Sequence, residues 1–391
     1  MSNPMTLDPK ELMALAQTEA GLSDFGEPAI EEPLTRLTAA LRTEAKLNGT
    51  GVYLWHTRLL GILVTRLRAC DWFKRHPEIL EERLPPTVVI VGLSRTGTTL
   101  LHRLIAADKR FYAAAWWECR FPVPGADDLS GASRIAAAKL EVEAILQAAP
   151  ALAAIHPWDA MGADEDIMLL DQTLLTTTSE SLACVPSYRE WVHAQDLRPA
   201  YVYLVKLMKF LQWQKHKRGQ HAERWVLKTP MHLGYVEVLN DLLPEVTFVQ
   251  THRDPVTSIP SYASMVQGLW ALGSDTADAR EAGRQWCETL QEHLNHCLEM
   301  RKGWSPTKFV DVDFRDTVSK PLGVVERIFE RIGLPMTPTA HAAIAAYMDS
   351  HPREGRPKHE YTLEEAGFTQ AELEQRFKNY REKHILTTQH S

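Results

Sequence analysis

Three short runs carry the residues best suited to chemistry. The first, VVIVGLSRTGTTLLHRLIA (Val88–Ala106), joins an apolar run to a glycine-bearing turn and an amphipathic helical pattern. Gly92 and Gly97 permit backbone angles closed to other residues. Successive N–H groups from Ser94 to Thr99 can then face an anion at a helix N-terminus, where the helix dipole adds partial positive charge. Arg95 contributes a planar cation, and Thr98 and Thr99 contribute hydroxyl donors. A nucleotide triphosphatase would carry lysine where this chain has Thr98. A γ-phosphoryl transfer site also needs a metal and a cation at the β/γ bridge. The loop therefore suits a 5′-phosphate that bears something other than a triphosphate tail.

The second run is VTFVQTHRDPVTSIPSYASM (Val246–Met265). A strand ends at His252-Arg253, and Asp254-Pro255 read as the N-cap and first position of a helix that Pro260 kinks. Arg253 and Ser261, eight residues apart, can grip a second phosphate. The third run, WVLKTPMHL (Trp225–Leu233), is a strand ending in Lys228 with His232 four residues on. A hydroxyl acceptor would also need a base, and two candidates stand out. Glu118, in AAWWECRFPVP, falls where a second core strand should end, and His232 has the side chain whose ordinary pKa suits neutral pH. The acidic run Asp164-Glu165-Asp166 reads first as a solvated helix start, with an acceptor-facing role as the lesser option.

The elements that must position these residues follow from periodicity. Residues 1–84 read as a helical N-terminal extension, with Asp8 as N-cap and Pro9 opening the first helix. Residues 85–391 read as one α/β domain. Strand signals at Val88–Val91, RWVLK, VTFVQTH and TKFVDVDF alternate with helices, and a mostly helical insertion spans about 124–220. This alternation implies a mainly parallel, doubly wound sheet with a P-loop-like nucleotide site at its strand tips.

Taken together, the three runs resemble the sulfotransferases that use 3′-phosphoadenosine 5′-phosphosulfate (PAPS), specifically their bacterial branch. That family's 5′-phosphosulfate loop usually reads Lys- or Arg-Ser-Gly-Thr-Thr, and this chain has Arg95-Thr96-Gly97-Thr98-Thr99. The resemblance implies that Arg253 and Ser261 take the 3′-phosphate and that Lys228 stands near the sulfuryl group. It implies PAPS as donor, adenosine 3′,5′-bisphosphate as product and no metal. The chain departs from the animal cytosolic enzymes in having Pro230 where they carry a catalytic histidine. Their glycine-rich C-terminal motif is also missing, and its expected substitute is the basic tail with Arg356 and Lys358, flanked by Arg353 and His359. The main alternative is a P-loop kinase or nucleotide hydrolase with a degenerate motif. A second alternative is a non-catalytic helical interaction protein that keeps the nucleotide fold as a scaffold.

Composition narrows the partners. A net charge of −7 argues against nucleic acid, so any anion site must come from a few local cations. The five cysteines form no CxxC pair, which points to a reducing cytoplasm. No signal peptide or transmembrane segment is expected. Trp116, Trp117, Trp158, Trp191, Trp213 and Trp270 include residues able to line an apolar pocket. The expected partner is therefore a small-molecule or lipid acceptor with a hydroxyl, an apolar alcohol, phenol or glycolipid. The oligomeric state stays open, a homo-oligomer being one option.

Overall fold

The structure, a computed structural model, describes residues 5–125, 128–148, 150, 158–351 and 360–386. Its centre is β1 (Thr87–Gly92), in which every residue is buried. Around it stand β2 (Phe111–Tyr112), β3 (Arg224–Lys228), β4 (Thr247–His252) and β5 (Phe309–Asp313). All pair in parallel, in the order β2-β3-β1-β4-β5. Alternate residues of β1 serve opposite faces. Val88 and Ile90 pack with Leu101, Leu104 and Ile328, while Val89 and Val91 join a larger cluster with Trp225 and Leu227. A strand buried on both sides reads as a continuous apolar run, which is why β1 shows no polar alternation. The sheet is doubly wound, as expected.

Register aligns the strand tips. Ile90 pairs with Lys228 and Gly92 with Thr251, so the ends of β3, β1 and β4 open onto one edge. Ligands of such sheets bind outside the carboxyl ends, where successive connections diverge to either side.

The N-terminal helices are Pro9–Ala20, Glu31–Thr43 and Gly49–Arg75. Asp8 caps the first, accepting from the N–H groups of Lys10 and Glu11. These helices share the larger cluster with the sheet through Leu12, Leu37, Leu59 and Leu63. Arg66 fastens them further. It is fully buried and donates to the carbonyls of Phe25, Gly26, Pro28 and Gln172.

Two expectations need correction here. The strand expected before Glu118 is only the two-residue edge strand β2, and Glu118 lies on the short helix Trp116–Arg120. The acidic run is not a solvated helix start, because Asp164 and Asp166 are 3% and 1% exposed. Their charge is met by buried partners rather than water. Among the described residues no helix is long and apolar enough to cross a membrane.

Candidate active site

The β1 tip turns into the loop helix Thr98–Ala106 through a tightly constrained loop. Gly92 has φ 151°, and a Cβ there would sit 2.3 Å from the Thr251 hydroxyl. Gly97, at φ 83°, is the residue before the helix. Arg95 adopts φ 68°, a left-handed conformation that costs a non-glycine residue roughly 1 kcal/mol. The hydroxyl of Thr96 is spent on shaping the loop. It lies 2.7 Å from the Leu93 carbonyl and 2.6 Å from Thr251 Oγ1. What Thr96 can offer a ligand is its backbone N–H.

The second loop meets the first directly. Arg253 Nη1 donates to the Arg95 carbonyl at 2.7 Å, and Arg95 Nε donates to Ser261 Oγ at 3.3 Å. The Arg253 guanidinium lies 4.4 Å from the centre of the Phe314 ring, a support the sequence did not advertise. Asp254 caps the helix Pro255–Trp270, which contains Pro260 and presents Ser261. Burial pushes the Arg95 pKa down, and the neighbouring Arg253 cation pushes it further. Two like charges held this close at strand tips form a site that an anion would relieve.

Lys228, 0% exposed, reaches the same place from β3. Its Nζ lies 2.6 Å from Glu165 Oε1 and 3.2 Å from Thr99 Oγ1. Its backbone N–H donates to Asp166 Oδ1 at 2.8 Å. Asp166 Oδ2 lies 2.6 Å from His232 Nε2, and His232 Nδ1 lies 3.2 Å from the Tyr201 hydroxyl. Burial opposes ionisation of Asp166, but the His232 contact and the Lys228 N–H outweigh it and hold the carboxyl below its ordinary range. The arrangement gathers Arg95, Thr98, Thr99, Lys228, Arg253 and Ser261, with Glu165 as a carboxylate that the sequence reading ranked low.

Neither sequence candidate for the base stands open to an acceptor. Glu118 is 2% exposed, and its oxygens take Lys215 Nζ at 2.5 Å and Arg218 Nη2 at 2.8 Å. It also accepts the Ala115 N–H at 3.1 Å, closing the turn before its own helix. Both ring nitrogens of His232 are engaged, and its side chain is wholly buried. Arg356 and Lys358, with Arg353 and His359, lie outside the described residues. Of the tryptophans, Trp116, Trp117, Trp213 and Trp270 are core.

Among the described residues, His252, Asp311 and His384 bring their potential ligand atoms within 4.8 Å of one another. The Arg301 guanidinium already sits 2.7 and 2.8 Å from the two Asp311 oxygens, which supplies the positive charge there.

The profile described as Sulfotransferase family matches residues 86–338, which include the stretches that supply Arg95, Glu165, Lys228 and Arg253. The chain belongs to the sulfotransferase family. Members transfer a sulfuryl group with PAPS as the general donor, which disfavours the kinase and hydrolase alternative. An omega-hydroxy-beta-dihydromenaquinone-9 sulfotransferase of Mycobacterium bovis is 25% identical over 305 residues, covering 72% of each chain. The solved sulfotransferase STF1 of Mycobacterium tuberculosis superposes with a TM-score of 0.78 at 28% identity, covering 95% of this chain and 98% of that one. STF9 of Mycobacterium avium superposes at 0.87 with 24% identity, covering 98% of each, and speaks to the fold.

Proposed function

We propose that this sulfotransferase moves the sulfuryl group of PAPS onto a hydroxyl of an apolar acceptor, an alcohol, phenol or glycolipid, and releases adenosine 3′,5′-bisphosphate. The observation that carries the reading is the contact between the two cationic loops, Arg253 to the Arg95 carbonyl and Arg95 to Ser261. One doubly phosphorylated nucleoside is the ligand class that such a pair suits.

The loop fits a 5′-phosphosulfate end, since Gly92 leaves no room for a Cβ and the N–H groups open at a helix N-terminus. Arg253 and Ser261 hold the 3′-phosphate in this reading, with Arg356 and Lys358 as further cations.

PAPS, when bound, supplies an activated sulfuryl group on a good leaving phosphate. Lys228 and Thr99 then stand at the bridging and transferred oxygens, with Arg95 and Thr98 beside them. Fixed donors aimed where charge develops lower the barrier, and the remainder is alignment of the acceptor oxygen for in-line attack. The acceptor oxygen bonds to sulfur, the sulfur–bridging oxygen bond breaks with its electrons going to the phosphate, and the acceptor proton leaves to a base. Sulfuryl carries less charge than phosphoryl, so the reaction needs no metal. The relative's name specifies an omega-hydroxy-beta-dihydromenaquinone-9, which supports an apolar acceptor. Five unpaired cysteines support a reducing cytoplasm as the setting.

Incubation with ³⁵S-labelled PAPS and a lipid extract, in the presence of a chelator, tests this reading. Label is expected in an organic-phase product, at a rate unaffected by the chelator. Label that stays in the aqueous phase with every hydroxylated apolar acceptor offered would reject it.

A further inference from the structure

Adjacent carboxylates in the run Asp164-Glu165-Asp166 have been sorted to different tasks. Asp166 points inward and has both oxygens committed, one to the Lys228 N–H and one to His232. Glu165 points outward with its side chain 25% exposed, against 2% for Asp166. Its Oε1 meets Lys228 Nζ at 2.6 Å, and Thr229 Oγ1 stands 3.4 Å from its Oε2. The Lys228 ammonium in turn touches Thr99 of the nucleotide loop at 3.2 Å. A partly exposed carboxylate thus lies one ammonium away from the proposed sulfuryl position.

We propose that Glu165 is the general base of the reaction, and that Asp166 and His232 are positioning residues that fix Glu165 and Lys228 relative to each other. The inference rests on the sulfuryl-transfer reading. Glu165 Oε2 takes the proton of the acceptor hydroxyl as its oxygen bonds to sulfur, and afterwards gives that proton to water. Lys228 spans base and sulfuryl group, using one donor on Glu165, one on Thr99 and a third for the transferred oxygens. Asp166 is covalently next to Glu165 and hydrogen-bonded to the backbone of Lys228. His232 holds it there from the turn that follows β3, with its Nε2–H donating to the carboxylate and its Nδ1 accepting from Tyr201. The histidine has no nitrogen left for an acceptor proton.

The test is single-turnover sulfuryl transfer beside calorimetric binding of adenosine 3′,5′-bisphosphate. Glu165→Gln should slow transfer by about 10²–10⁴-fold, leave nucleotide affinity within about twofold, and abolish the acid limb of the pH–rate profile. Glu165→Asp keeps the charge beside Lys228 and should lose rate without losing melting temperature, so it reports even if the neutral variant is unstable. His232→Ala should lower the rate constant with little change in KM. His232→Gln, which restores a donor at the ε position, should recover most of the loss. A Glu165→Gln enzyme that keeps its rate and pH profile overturns the proposal. So does a His232→Gln enzyme as inactive as His232→Ala, which would make the imidazole itself the base. Failure of the unaltered protein to bind the bisphosphate is a separate result and removes the sulfuryl-transfer reading itself.

Discussion

Arg95 carries two conflicting demands. Its φ of 68° suits glycine, while the proposed chemistry wants a cation at that point of the loop. Conformational strain at such a position is tolerated where the side chain is needed. Arg95→Gly should therefore leave the melting temperature unchanged or slightly raised, since glycine adopts this conformation freely. It should also lose sulfuryl transfer by about a hundredfold or more, the scale expected for one fixed donor to developing charge. Thermal melting and turnover on one preparation check both halves, and a parallel fall of stability and activity would make Arg95 a structural residue. At this scale Arg95, Lys228, Arg253 and Ser261 were legible as candidates, because a loop suited to an anion leaves glycines and cations at fixed spacing, and the structure brings the loops that carry them together. The sequence reading ranked Glu165 low, since nothing local distinguishes a carboxylate beside a lysine from a solvated one. The partner of Glu165 comes from β3, sixty-three residues later.

Among the elements, the strands and the helices that follow them were readable from their apolar runs and caps. Asp8 and Asp254 both cap as their sequences suggest. The failure was at β2, where a two-residue edge strand leaves no periodicity to read. Glu118 was placed at a strand tip for that reason, yet it sits on a helix between Lys215 and Arg218, both supplied by the end of the helix Arg198–Lys217 and the residue after it. This carboxylate joins elements together. Removing one partner of a buried ion pair costs about 3–5 kcal/mol, because the other charges stay buried. Glu118→Gln should accordingly melt several degrees lower and keep the turnover of its folded fraction. Normal stability combined with lost turnover would return Glu118 to the list of bases. The C-terminal segment braces the β4 tip in a way that sequence also hid. Tyr380 bonds His252 at 2.9 Å, and Arg381 pairs with Asp254 at 3.1 Å, contacts that span more than a hundred residues.

For the whole molecule, the burial of two histidines makes stability fall on acidification below neutral pH. His102 lies in the loop helix among Lys228, Asp166, Asp164 and Arg103, and burial brings its pKa from 6.5 down to about 3. His293, near His193, His296 and Arg189, is brought by burial to about 3 as well. Below pH 6.5 the unfolded chain binds protons at both positions, and the folded chain does not. Stability present at neutral pH is therefore lost as the pH falls toward 3. Each histidine should account for about 1.4 kcal/mol between pH 7.5 and 5.5. Denaturant titrations across that range should show the slope, and His293→Leu should remove roughly half of it. An unchanged slope would place the acid sensitivity elsewhere.

The central claim is that two loops at neighbouring strand tips hold opposite ends of one nucleotide. Calorimetric titration of adenosine 3′,5′-bisphosphate and of adenosine 5′-phosphosulfate, into the unaltered protein and Arg253→Ala, tests it most directly. A hydrogen bond to a charged group is worth about 1.5–3 kcal/mol. The variant should lose roughly ten- to a hundredfold in affinity for the bisphosphate and almost none for the 5′-phosphosulfate, which has no 3′-phosphate to lose. Equal losses for the two ligands would contradict the account.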